Sequence, residues 1–89
     1  MEGLTAGRIV HYVLDDADGP SAGQHRPAIV VKVWDHGSGR EYLEDKLGMV
    51  NLQVFTDELN DDLPPIVWET SVVYSEKADK GTWHWIEKA

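Results

Sequence analysis

The chain has 89 residues, with 16 acidic against eight basic side chains, a formal net charge of −8 and no cysteine. A domain this short buries only about 60–65% of the surface its unfolded chain exposes, so its core is thin. The charge argues against a duplex nucleic-acid binder, and the lack of cysteine excludes disulfides, thiolate catalysis and cysteine-type zinc sites. No apolar run approaches the roughly 20 residues needed to cross a bilayer. No charged-then-apolar leader opens the chain, so the expected address is the cytosol and no membrane partner is expected.

Short β-branched runs separated by turn signals predict one compact β domain over residues 1–89. The first run, Arg8 to Leu14, carries apolar residues on both faces, as a strand covered on two sides or curled at a barrel corner would. Asp15 to Gln24 is rich in Asp, Gly and Pro and reads as a mobile exposed loop. Pro27 to Trp34 is the strongest strand, with Ile29, Val31 and Val33 on one face and Ala28, Val30, Lys32 and Trp34 on the other. Asp35 to Arg40 is a loop, and Glu41 to Leu47 has the length for one or two helical turns before Gly48. Met49 to Phe55 alternates, placing Val50, Leu52 and Val54 on one face and Asn51 and Gln53 on the other. The acidic stretch Asp57 to Asp62 and Pro64-Pro65 are unfit for a central strand. Trp68 to Ser75 gives a fourth strand and Thr82 to Ile86 a short closing one. The expected fold is therefore all-β: a five-stranded antiparallel, SH3-like, partly open barrel with one short helical turn in a loop.

The chain holds four tryptophans and four histidines. On a strand Trp83 and Trp85 share a face, either plugging the barrel or forming a stacking platform for a flat ligand. His84 then points the opposite way, toward solvent or a partner. His11, His25, His36 and His84 lack the close spacing of helical zinc motifs, so no metal site is expected from the sequence. Asp57 to Asp62 lacks the alternation, turn glycine and distal glutamate of a calcium loop. His36 to Arg40 has free amides beside an arginine but no P-loop ending. No catalytic constellation is legible, and no cofactor is expected. The few cations stand out in an acidic chain: Arg8 and Arg26 precede strands, and Lys32 shares a face with Trp34. Such cation–aromatic pairs either hold phosphate and stack a ring, or serve solubility and local ion pairing.

The segments Gly7-Arg8-Ile9-Val10-His11-Tyr12, Arg26-Pro27-Ala28-Ile29-Val30-Val31, Val50-Asn51-Leu52-Gln53-Val54-Phe55 and Gly81-Thr82-Trp83-His84-Trp85, in that order, resemble a group of small bacteriophage and prophage accessory proteins. The resemblance implies a phage-encoded protein acting in the cytoplasm of an infected bacterium, with an anti-defence role, and carries no active site. The function expected on this basis is non-catalytic: a homo-oligomer that sequesters a phosphate-bearing nucleotide immune signal. Arg8, Arg26 and Lys32 would meet phosphates, Trp34, Trp83 and Trp85 would stack bases, and His11 and His84 would bond ligand edges. The alternative is an acidic interaction module, a DNA mimic or an inhibitor docking on a host defence enzyme. A third reading, a nucleotide-signal hydrolase, would use His84 or His11 as general base.

Overall fold

The structure is a computed structural model and describes residues 1–34 and 48–87. Its strands are β1 (Ile9–Val13), β2 (His25–Val33), β3 (Val50–Phe55), β4 (Ile66–Val72) and β5 (Trp83–His84). They form one antiparallel sheet in the order β4-β3-β2-β1-β5. Past β4, Tyr74 makes an isolated parallel bridge to Trp83, so the two ends of the sheet approach each other without closing. The expected small, mainly β, SH3-like and partly open architecture is the one observed. The helical turn expected over Glu41 to Leu47 lies outside the described residues. Among the described residues, two short helical turns occur elsewhere: a 3-10 turn at Asp16–Asp18 and the four-residue helix α1 at Glu58–Asp61.

One face of the sheet is the core. Val10 and Tyr12 of β1, Ala28 and Val30 of β2, Val50, Leu52 and Val54 of β3, Val72 and Trp83 are all buried there. Alternation alone places these side chains together, since each stands two residues from the next along its strand. Trp83 is fully buried, and its indole N–H donates to the Gly48 carbonyl at 2.6 Å. Gly48 has φ +79°, and a Cβ there would stand 3.0 Å from the Met1 side chain and 3.1 Å from that of Tyr74. Both its conformation and its surroundings therefore demand glycine.

The alternation expected along β2 fails at one point. A β-bulge between Val30 and Lys32 shifts the register, so that Lys32 pairs with Asn51 and Val33 with Val50. Val33 thereby joins Val30 against the core, and Lys32 leaves that face. A second irregularity lies opposite, between Val50 and Leu52 in their pairing with β4, where Ser71 takes φ +54°. Asn51 sits between the two. Its carboxamide oxygen accepts the Trp34 indole N–H at 2.8 Å and the Ser71 backbone N–H at 2.9 Å. One buried side chain thus satisfies donors freed on both neighbouring strands, which is why a polar residue is retained in β3. β4 ends at Val72, earlier than the sequence pattern implies, and starts earlier too, directly after Pro65.

The Asp15–Gln24 loop is largely exposed, as expected, and carries local bonds. Asp15 caps the 3-10 turn, accepting the Ala17 N–H at 2.9 Å, while the Asp18 carboxylate accepts the Asp15 N–H at 2.8 Å. Ser21 is buried, and its hydroxyl donates to the Asn60 carbonyl of α1. Next to that contact Asp61 is fully buried and receives Arg26 in a two-pronged bond, Nε at 2.8 Å and Nη2 at 2.6 Å. Tyr12 and Arg26 are cross-strand partners, so Arg26 leaves β2 on the core side and pins α1 over that end of the sheet.

Arg26 hydrogen bonding, against the opposing pull of burial, holds the Asp61 carboxyl well below its ordinary value of 3.8. The folded state then releases that proton more readily than the unfolded chain. Its stabilisation is full above the unfolded value and fades as pH falls through the acid range. Replacing Asp61 by Asn is expected to cost about 3–5 kcal/mol in urea unfolding at neutral pH, because a nearly buried guanidinium loses its counter-charge. The variant's stability should also fall less steeply than the parent's between neutral and strongly acid pH. Asn51→Ala is expected to cost about 1 kcal/mol by the same measurement, since two partly buried hydrogen bonds are lost.

Candidate metal centre

The other face of the sheet carries the chemistry. β1 pairs with β2 so that His11 faces Pro27 and Val13 faces His25, and with β5 so that His11 faces His84. Directly opposed residues share a face, and their Cβ atoms stand about 4.5–5.5 Å apart. His84 is therefore the immediate neighbour of His11, while His25 lies diagonally from it, two residues from Pro27 along β2. Three histidines remote in sequence thus meet on one patch. The chain leaving β5 folds back over them and places Glu87 at their centre.

The Glu87 carboxylate is the common partner. His11 Nδ1 lies 2.6 Å from its Oε2, His25 Nδ1 lies 2.8 Å from its Oε1, and His84 Nε2 contacts Oε1 as well. The imidazole rings meet edge to face, with centroids 4.6 to 6.2 Å apart. Desolvation alone would raise the Glu87 carboxyl. Its own backbone N–H and the hydrogen bonds from His84, His11 and His25 outweigh that and hold it at about 2. The group is therefore a carboxylate at neutral pH.

One donor atom from each of His11, His25, His84 and Glu87 lies within 4.8 Å of all the others. Around a tetrahedral ion with bonds of about 2.0–2.2 Å, donor atoms stand about 3.3–3.5 Å apart, so small side-chain adjustments suffice. Three imidazoles and a carboxylate suit the borderline ions zinc, iron, nickel and copper rather than calcium or magnesium, which prefer all-oxygen shells. The site is open on one side: the His84 side chain is 8% exposed, whereas that of Glu87 is 46% exposed. His84 Nδ1 is buried without a hydrogen-bond partner among the described residues. The ring is thus oriented by packing and strand pairing, without the outer hydrogen bond that often supports a metal-binding histidine.

The residues expected to bind a ligand fall into five places. His11 and His84 join the cluster, and His84 is buried there rather than pointing to solvent. Arg26 is committed to Asp61, and Trp83 lies in the core. Lys32 and Trp34 form their own pair at the far end of β2, with the ammonium 3.9 Å from the ring centroid. Arg8 stands 5.6 Å over Trp85, beside a groove of about 590 Å³ lined by Gly7, Arg8, Ile9, Trp85 and Ile86. Trp85 follows the end of β5 and packs edge-on against Trp83, with centroids 5.0 Å apart.

Two members of the cluster, His25 and Glu87, carry no sequence signal as ligands. His25 precedes the apolar run of its strand, and Glu87 follows the last strand. The β1–β2 register brings His25 to His11, and the chain leaving β5 brings Glu87 to them. The chain matches no protein-family model, no curated protein and no solved structure with which it was compared.

Proposed function

We propose that this chain is a metal-binding protein that holds one transition-metal ion of the zinc type through His11, His25, His84 and Glu87. The observation that carries this reading is the convergence of four donor atoms within 4.8 Å from three separate parts of the sheet. A bare carboxylate ringed by three imidazoles needs no metal to exist. The favourable argument is that the donors are of the right type, the carboxylate is ionised, and all three rings stand on paired strands.

Equilibrium dialysis against zinc, followed by metal analysis, tests the proposal. One equivalent per chain is expected. His11→Ala and His25→Ala, both at partly exposed positions, should each weaken binding at least about tenfold. Free zinc at about 100 times its dissociation constant should raise unfolding stability by about 2.7 kcal/mol, and a chelator should reverse the gain. Zinc binding that is absent, or unchanged in both histidine variants, would sink the proposal.

A second reading is the sequestration, without turnover, of a phosphate-bearing nucleotide in a phage-infected cell. One observation favours it: Arg8 over Trp85 beside an open groove supplies a cation and an aromatic ring together. Arg26 and Trp83 do not serve it, being engaged with Asp61 and the core.

A further inference from the structure

We propose that the outward face of the sheet, beside the histidine cluster, is the interface of a homodimer whose other half is a second copy of this chain. This inference stands apart from the metal-binding reading above.

An antiparallel sheet with one face on the core normally turns polar side chains outward on the other. Here the outward positions of four strands are largely apolar. Ile9 of β1 is opposed to Ile29 of β2, Ile29 to Gln53 of β3, and Gln53 to Trp68 of β4, so these four form one row across the sheet. Ala28 is opposed to Val54 and Phe55 to Ile66, which sets Pro27, Phe55 and Ile66 side by side in the adjoining row. Ile9, Ile66 and Trp68 are each about half exposed, and Phe55 is 36% exposed. Opposed residues share a face and neighbouring strands lie about 4.8 Å apart, so the two rows make one continuous patch.

Those four side chains leave roughly 400 Å² of apolar surface open, the size at which a patch on a monomer is commonly a contact site. A standard interface buries about 800 Å² on each partner, somewhat over half of it apolar. The patch therefore supplies most of the apolar share that a stable dimer needs. Charge selects the occupant. None of the seven positions in the two rows is charged, although 27% of the chain is. A basic or acidic partner finds no counter-charge there, whereas a second copy presents an equally uncharged surface. A two-fold axis along the strands, between β2 and β3, makes the rows self-complementary. It sets Ile9 over Trp68 of the second copy and Pro27 over Phe55 of the second copy.

Sedimentation velocity of the full chain, with a chelator present to exclude a metal bridge, tests this. A dimer is expected at about 100 μM. It should tighten as added salt screens the repulsion between two chains of net charge −8. Ile9→Glu and Trp68→Glu, both at half-exposed sites, should each give a monomer at that concentration. Leu59→Glu, at an 89% exposed site on α1, should leave the dimer intact. Urea unfolding of the variants separates loss of the interface from loss of the fold. A parent chain that stays monomeric would overturn the proposal, as would a dimer that chelator dissociates. A dimer that folded Ile9→Glu leaves intact would also overturn it, since the contact would then lie at the open edge of β4. Metal binding is read separately by dialysis, so failure here leaves the metal-binding reading standing.

Discussion

β1 pairs with β2 along one edge and with β5 along the other, and in both pairings opposed residues share a face. Val10, Tyr12 and Trp83 therefore go to the core together, and His11, His25 and His84 go together to the opposite face. A slip of one residue in either pairing would exchange the two sets. It would drive imidazoles into the apolar interior and expose the indole of Trp83. Core burial and cluster assembly are thus two consequences of one register. The large apolar residues on the core side hold the polar residues on the other side in position.

The rest of the structure protects that register. Asn51 accepts N–H groups from both strands flanking β3 and so tolerates two irregularities without leaving donors unpaired. Arg26 and Asp61 tie α1 to the core side of β2, one residue from His25. That ion pair is buried, so its contribution is one of position as much as of stability. In a domain with so thin a core, such polar ties limit how far strands can shift. The resulting face holds the three histidines on paired strands, with the half-exposed Glu87 over them.

Much of the fold is legible in the residues. Val50, Leu52 and Val54 alternate and are buried together, and Pro64-Pro65 separates β3 from β4 as turn chemistry requires. The bulge after Val30 is not legible, because nothing in Val31-Lys32-Val33 distinguishes a regular strand from a kinked one. The cluster was half visible. His11 alternates with Val10 and Tyr12, and His84 with Trp83, so both could be assigned to the face away from the core. What local pattern cannot supply is contact over long separations, such as the 62 and 76 residues between Glu87 and His25 and His11. Spacing rules for metal ligands describe sites built within one helix or loop. A site assembled across a sheet escapes them.

Chemically, the face combines three imidazoles and one carboxylate in a protein whose overall charge is strongly negative. The account stands on the claim that β1 registers align these donors around one ion. X-ray absorption at the zinc edge of the loaded protein measures this directly. The account predicts three imidazole nitrogens at about 2.0–2.1 Å and a carboxylate oxygen at about 2.0–2.2 Å. A shell of oxygens alone, or one with a single imidazole, would contradict it.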